Sequence, residues 1–163
     1  MTDEIRFRRP KEADHRPLVG KVDEWWGGRS IHQIFPRLWL QHFCGTSWIA
    51  EDGDGRIIGF LVGFISPDHP DQAYIHMVAT SPNLRRAGLG RRLYEQFFAD
   101  ARARGAHRVT AITWPGNRVS VGFHRALGFT PADGPGTQNL YGTPAYPDYD
   151  ADGDDRVVFS REI

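Results

Sequence analysis

The second half of the chain alternates strand-like and helix-like segments, and this order constrains the fold more than any other feature. Residues 73–80 and 108–114 are rich in β-branched and aromatic residues, which favours strands. Each is followed by an amphipathic segment, residues 89–104 and 117–127, in which apolar side chains recur every three or four positions. A glycine follows each of these segments, as is common where a helix ends. Strands and helices alternating in this way predict a mixed α/β domain.

The first half predicts an antiparallel hairpin and further helix. Residues 46–51 and 56–65 are strand-like runs on either side of an Asp-Gly-rich turn at 52–55, the pattern of a β-hairpin. The remaining predicted elements are an edge strand at 5–9, a helix at 11–26 that Pro17 interrupts, a helix from Ser30 to Phe43 bent at Pro36, a strand that begins at Phe129, a loop at 131–155 and a closing strand at 156–161. We expect a single domain over residues 1–163.

Composition excludes several classes of protein. Apolar residues make up 40% of the 163 and aromatic residues 12%, enough to build a buried core. Twenty basic residues balance twenty acidic ones, whereas proteins that bind nucleic acid or anionic membranes carry a basic excess. The charged N-terminus lacks the apolar segment of a secretion signal, and no apolar run reaches the roughly 20 residues of a membrane span. We therefore expect a cytoplasmic protein that binds neither nucleic acid nor a membrane.

The sequence gives no support for disulfide or metal chemistry. Cys44 is the only cysteine, which excludes a disulfide framework and a cysteine-based zinc site. His69 and His76 have no third ligand at a diagnostic spacing. We expect no metal site.

A glycine-containing segment joins the strand at 73–80 to the helix that follows it. Its sequence is Arg85-Arg86-Ala87-Gly88-Leu89-Gly90. The glycines allow close approach of the backbone to a ligand, and the N–H groups of a helix N-terminus favour an anion such as a pyrophosphate. The segment lacks the third glycine of a dinucleotide fingerprint and the lysine of a Walker loop. It predicts a phosphate site of another kind, or a helix start with solvated arginines.

This segment and residues 117–129 together resemble the GNAT superfamily of N-acetyltransferases. Residues 85–90 match the signature Arg/Gln-x-x-Gly-x-Gly/Ala, and residues 77–82 before them are similar to the family's central strand. Residues 117–129 are similar to the second signature, an asparagine followed by a helix that ends in aromatic-Tyr-x-x-Leu-Gly-Phe. The resemblance implies an α/β fold with a central mixed, mostly antiparallel sheet, flanked by helices and splayed at the acetyl-CoA site.

The resemblance also implies how acetyl-CoA, the co-substrate, would bind. The backbone of Val78 and Ala79 would pair with the pantetheine arm, and the N–H groups of residues 86–91 would hold the pyrophosphate. Asn117 would bond to the pantetheine arm, cap the helix, or do both. The implied cofactor-binding residues are Val78, Ala79, Thr80, Arg85, Arg86, Ala87, Gly88, Leu89, Gly90, Arg91 and Asn117.

The implied reaction is direct transfer of the acetyl group to an amine. A neutral amine attacks the thioester, a backbone N–H near Val78 or Ala79 stabilises the oxyanion, and a general acid protonates the thiolate. His124 stands where the family usually has a tyrosine as the acid, and an imidazolium can donate a proton. The alternatives are a helix-surface histidine or a ligand contact without proton transfer, and Tyr141 is a substitute acid. Cys44 has no assigned part.

His76 is the first candidate for the general base, because strand alternation places it on one face with Tyr74 and Val78. A buried structural histidine is the competing interpretation. The other candidates are a water chain, Glu51, Asp68, His69 and Asp71.

The acceptor is expected to be a small-molecule amine. Residues 23–29 combine carboxylates, indoles and an arginine, a set that suits an amine with an apolar or carboxylate part. Residues 139–149 would pack over that segment, and the acidic residues 148–155 would attract a cationic acceptor. Aromatic residues that close the core explain the first two segments equally well. A protein N-terminus or lysine as acceptor, a longer acyl chain, and a non-catalytic acyl-CoA-binding or sensing module stay open, as does a homodimer.

Overall fold

A computed structural model describes residues 4–163, with every side chain in that range except that of Arg86. The first three residues, which belong to the charged N-terminus noted above, lie outside the described residues. The strands are β1 (Arg6–Arg8), β2 (Trp48–Glu51), β3 (Ile57–Ile65), β4 (Gln72–Thr80), β5 (Arg108–Thr113), β6 (Thr130–Pro131), β7 (Gln138–Leu140), β8 (Thr143–Ala145) and β9 (Val157–Glu162). Seven of them form one sheet in the order β1-β2-β3-β4-β5-β9-β6, in which only β4 and β5 run parallel. The predicted mixed, mostly antiparallel sheet is confirmed.

The α-helices are α1 (His15–Trp25), α2 (Trp39–His42), α3 (Leu89–Ala103) and α4 (Arg118–Ala126). The predictions of α3 and α4 are confirmed. The helix predicted from Ser30 to Phe43 is wrong, since only a short 3-10 turn and the four residues of α2 are helical there. Pro36 excludes a helical conformation at the residue before it, and Phe35 has φ −121° and ψ 62°. Pro17 does not interrupt α1, because it lies in the first turn, where no backbone N–H is needed. None of the helices in residues 4–163 is long and apolar enough to cross a membrane.

Helices cover both faces of the sheet. On one face, α3 packs through Leu93 and Phe97 against β2, β3 and β4. On the other face, Leu18 and Val22 of α1 pack against side chains from β3 and β4. The two apolar layers enclose the central strand β4, so its position is fixed from both sides.

A β-bulge in β4 alters which side chains face which layer. In the pairing of β3 with β4, Val62 lies opposite Met77 and Gly63 opposite Ile75, so His76 is an extra residue on β4. Ile75 therefore joins the layer under α3, whereas Met77 joins the layer under α1. The predicted common face of His76, Tyr74 and Val78 is wrong for this reason. Strict alternation fails at the bulge, and Val78 packs on the α3 side.

The bulge coincides with the point where the sheet splays. β4 pairs with β5 only over residues 72–75, and beyond the bulge residues 77–80 pair with β3 alone. A bulge bends its strand and increases the local twist, which accounts for the separation of β4 from β5. The second half of β4 therefore has one open edge, with backbone N–H and C=O groups directed away from β3. The predicted splay of the sheet is present at this position.

The stretch at 131–155 contains a small hairpin that the sequence did not predict. β7 and β8 are joined by Tyr141 and Gly142, whose φ angles of 55° and 85° are those of a tight two-residue turn. Tyrosine is an unusual residue in the first turn position, and Pro144 within β8 further weakens the strand pattern.

Candidate active site

A groove of about 610 Å³ opens where β4 and β5 diverge. The walls are the second half of β4, the N-terminus of α3, the first turns of α4 and the residues that end α1. The predicted site residues that line it are His76, Val78, Ala79, Thr80, Arg85, Gly88, Gly90, Arg91, Asn117 and His124. Ala87 and Leu89 do not line it, and the Leu89 side chain is fully buried under the sheet. Arg86 belongs to the 3-10 helix at Pro82–Ala87, and its side chain lies outside the described residues.

The N-terminus of α3 is open to a ligand. The residue before the helix, Gly88, has φ +73° and no side chain that accepts from the first turn. The N–H of Arg92 bonds to the carbonyl of Gly88 at 3.1 Å, which leaves the N–H groups of residues 89–91 without a partner inside the helix. Arg85 and Arg91 line the groove at the same end. The free N–H groups, the helix dipole and the arginines together favour an anion.

Asn117 caps α4. Its Oδ1 accepts a hydrogen bond from the N–H of Ser120 at 3.1 Å, so the predicted cap is confirmed. The side chain also lines the groove, and the cap leaves its Nδ2 group available as a donor. A contact with a ligand is therefore compatible with the cap.

His124 is buried between the groove and the core. Its exposed fraction is 5%, and its ring stacks on Phe159. Nδ1 donates to the carbonyl oxygen of Ser120 at 2.8 Å, and Nε2 then accepts from the hydroxyl of Tyr94 at 2.9 Å. Burial lowers the pKa of His124, so the ring is neutral at pH 7. Both nitrogens are engaged, and the imidazolium needed for proton donation is a minor form.

Tyr94 is a candidate that the sequence analysis missed. It lines the groove from α3, is 1% exposed, and bonds to His124 through its hydroxyl. Burial raises the pKa of this hydroxyl, which keeps it protonated at neutral pH. The sequence signal that could have identified Tyr94 is its hydroxyl group, which stands among the apolar side chains on the buried face of α3.

His76, the bulged residue of β4, is held in place by two contacts. Its ring stacks on Trp39 with centroids 4.2 Å apart, and Nε2 donates to the carbonyl oxygen of Ile34 at 2.5 Å. Because a carbonyl only accepts, the proton is on Nε2, and Nδ1 keeps its lone pair. Burial lowers the pKa of His76, which keeps the ring neutral. These contacts suit a structural histidine and also leave Nδ1 in the state that a general base requires.

The other predicted acid and base candidates do not line the groove. Glu51 is 5% exposed and forms ion pairs with Arg6 and Arg8, each at 2.5 Å. Tyr141 is 59% exposed at the tip of the β7–β8 hairpin, where its ring contacts Trp114. The remaining candidates outside the groove are Asp68, His69 and Asp71.

The predicted acceptor segment reaches the groove. Trp25, Trp26, Gly27 and Arg29 line it, whereas residues 139–149 do not. Further lining residues that the sequence analysis did not assign to the site are Ile75, Met77, Ala111, Val119, Ser120 and Phe123. Most of these are apolar residues that no sequence pattern separates from the core. Among residues 4–163, no cluster of three His, Cys, Asp or Glu side chains is arranged to hold a metal ion.

The lowered histidine pKa values make stability depend on pH. An unfolded histidine titrates near pH 6.5, so below that value the unfolded chain takes up a proton that folded His124 resists. The stabilisation that comes from neutral His124 is complete above about pH 6.5 and is lost as the pH falls toward the pKa of the folded state. One such group lowers the free energy of unfolding by no more than about 1.4 kcal/mol per pH unit. We expect the urea midpoint to fall between pH 7.5 and 5.5, and to fall less in His124→Gln. Equal losses in both proteins would contradict the assigned state of His124.

A splayed sheet beside a groove, with a helix N-terminus and two arginines on its wall, has the features that an extended anionic ligand such as an acyl-CoA would require. Residues 7–129 match the family model described as the acetyltransferase (GNAT) family. The chain therefore belongs to the GNAT acetyltransferase family, and the predicted resemblance and fold class are confirmed.

Relatives with curated names act on small amines. The L-2,4-diaminobutyric acid acetyltransferase of Nocardia farcinica is 30% identical over 117 residues, which cover 72% of this chain and 60% of that protein. The L-methionine sulfoximine/L-methionine sulfone acetyltransferase of Pseudomonas paraeruginosa is 34% identical over 122 residues, which cover 72% of this chain and 71% of that protein. These names support the predicted class of activity, acetylation of a small-molecule amine. The chain thus spans about 60% of the Nocardia relative's length.

A solved structure shows the same fold at full length. It is the diaminobutyrate acetyltransferase of Paenibacillus lautus in complex with L-2,4-diaminobutyric acid and coenzyme A. The TM-score is 0.69 at 22% sequence identity, and the match covers 97% of this chain and 94% of that chain.

Proposed function

We propose that this chain transfers the acetyl group of acetyl-CoA directly to a primary amine of a small molecule. The observation that carries the proposal is the juxtaposition, in one groove, of the open edge of β4 and the uncapped N-terminus of α3. An extended thioester arm fits the first feature and a pyrophosphate fits the second. Acetyl-CoA carries both groups.

The donor is held mainly by backbone groups. The N–H and C=O groups of Val78 lie on the open edge of β4 and extend the sheet by pairing with the pantetheine amides, and Asn117 adds a side-chain donor. Ala79 directs its own N–H and C=O toward β3, as Ser81 does in its hydrogen bond to Ile58. The free N–H groups of residues 89–91 hold the pyrophosphate, assisted by Arg85 and Arg91. Gly88 and Gly90 keep the approach to that helix end clear.

The acceptor amine loses a proton to His76. Nδ1 of this neutral ring accepts the proton, while the bond from Nε2 to Ile34 and the stacking on Trp39 fix the ring. The amine nitrogen attacks the thioester carbonyl carbon and forms the C–N bond, and the backbone N–H of Val78 stabilises the oxyanion on the carbonyl oxygen. The tetrahedral intermediate then collapses, the C–S bond breaks and the thiolate of CoA leaves.

The Tyr94–His124 pair protonates the leaving thiolate. When His124 is protonated, Nε2–H donates to the Tyr94 oxygen, which frees the tyrosine proton for the thiolate. That proton moves to sulfur, the Nε2 proton moves to the tyrosine oxygen, and His124 returns to its neutral form. The lowered pKa of His124 makes its imidazolium a stronger acid toward the thiolate.

Thiol release from acetyl-CoA tests the proposed reaction. We expect release above background hydrolysis with a small amine from a panel of L-2,4-diaminobutyric acid, L-methionine sulfone, spermidine and a peptide with a free N-terminus. Release with the peptide alone would favour a protein acetyltransferase. Tight acetyl-CoA binding without release from any amine would favour the sensing module. A cytoplasmic location, one domain over residues 1–163 and the lack of nucleic-acid or membrane partners stay predictions from composition.

A further inference from the structure

The charges along the groove are unevenly distributed. The charged side chains among its described lining residues are three arginines, Arg29, Arg85 and Arg91, and no carboxylate lines it. Arg85 and Arg91 lie at the α3 end, where the pyrophosphate is proposed to bind. Arg29 comes from the loop after α1, within the predicted acceptor segment. Its guanidinium forms no hydrogen bond or ion pair with the described residues, so its charge is available to a ligand.

The loop that carries Arg29 is closed by Asp23. Oδ1 of Asp23 accepts from the N–H groups of Ile31 at 2.7 Å and His32 at 2.9 Å, and Oδ2 bonds to Nδ1 of His32 at 2.7 Å. The hydrogen bonds to His32 lower the pKa of Asp23, which keeps the carboxylate ionised. The loop is therefore tied at both ends, and Arg29 projects from a defined position.

One indole lies near the guanidinium of Arg29, and two more line the same groove. The guanidinium carbon lies 5.8 Å from the ring centre of Trp114, the residue after β5, and the other two indoles are those of Trp25 and Trp26. An indole at this distance uses none of the guanidinium N–H groups, which stay available to a planar anion such as a carboxylate. The indoles offer apolar contact area to the rest of a small ligand.

We infer that Arg29 binds the carboxylate of an amino acid acceptor, and that the acceptor's side chain is uncharged. This inference rests on the proposed function. The amine would lie toward His76 and the carboxylate toward Arg29, with the side chain against the tryptophans. A polyamine or diamino acid brings a second ammonium group into a groove whose described lining supplies arginines and no carboxylate, so such acceptors are disfavoured.

A cycle of two enzymes and two acceptors tests the role of Arg29. In each cycle the two acceptors are an amino acid and its carboxamide, which keeps the amine and removes the charge. The amino acids are L-leucine, L-glutamine and L-methionine sulfone. We expect Arg29→Gln to lower kcat/KM for the acids about tenfold or more, mainly through KM, and to leave the amides nearly unchanged. The ratio within the cycle cancels the different basicities of the two amines. Arg29→Lys should restore part of the selectivity, because it keeps the charge without the bidentate geometry.

Matched controls separate the possible failures. Arg37→Gln removes an exposed arginine outside the groove and should change kcat/KM for neither the acids nor the amides. Acetyl-CoA affinity measured by calorimetry should be the same in Arg29→Gln and wild type. A drop in that affinity would assign Arg29 to the cofactor and overturn the inference. Equal losses of kcat/KM for acids and amides would also overturn it, as would turnover confined to polyamines. No thiol release by the wild type with any amine would overturn the proposed function as well.

Discussion

Gly90→Glu should abolish detectable binding of acetyl-CoA. Gly90 lies in the first turn of α3 and lines the groove beside the free N–H groups. A carboxylate there competes with the pyrophosphate for the same donors and repels it, which lowers affinity at least about 100-fold. Even a methyl group would lie 3.2 Å from the ring of Phe123, on the opposite wall, so the larger side chain also narrows the groove. Isothermal titration with acetyl-CoA measures the effect.

Gly20→Glu is the matched control for this variant. Gly20 is an exposed glycine in α1, outside the groove, and a Cβ at that position meets no heavy atom within 4 Å. The same change in charge there should leave the dissociation constant unaltered. A circular dichroism melt of each variant shows whether the fold is retained. Wild-type affinity in a folded Gly90→Glu protein would remove the proposed pyrophosphate site.

Removing the hydroxyl of Tyr94 should slow turnover without weakening acetyl-CoA binding. We expect Tyr94→Phe and His124→Phe each to lower kcat by about 100-fold, the size of a typical general acid contribution. Because both residues act along one proton path, the double variant should be no slower than the slower single variant. The dissociation constant of acetyl-CoA should change by no more than a few fold.

Tyr146→Phe controls for the loss of a hydroxyl as such. Tyr146 is half-buried and does not line the groove, so its variant should keep full activity. If the losses in Tyr94→Phe and His124→Phe multiply in the double variant, the two residues act independently and the relay is wrong. Unchanged kcat in both single variants would place the proton donor elsewhere.

The elements that carry the cofactor site were predictable because their signals are local. The glycines of residues 85–90, the capping residue Asn117 and the amphipathic pattern of α3 each express a backbone requirement that one segment satisfies by itself. The hairpin of β2 and β3 has the same local character. These elements all appear at the predicted positions.

Features that depend on pairing between distant segments were not predictable. The bulge at His76 exists only in the register of β4 against β3, and it reversed the predicted face of Val78. The hydrogen bond that Nε2 of His124 accepts comes from Tyr94, which is 30 positions away in the sequence. The helix predicted after Ser30 is absent for a local reason, the restriction that Pro36 places on Phe35.

A thermal-shift titration with acetyl-CoA tests the central claim most directly. A ligand at 100 times its Kd stabilises the folded state by about 2.7 kcal/mol, which for a chain of this size raises Tm by about 5–10 °C. We expect a saturable shift of this size with acetyl-CoA in the wild type, none in Gly90→Glu, and none with ATP or NAD. No shift with acetyl-CoA, or equal shifts with all three nucleotides, would contradict the assignment of the groove to an acyl-CoA.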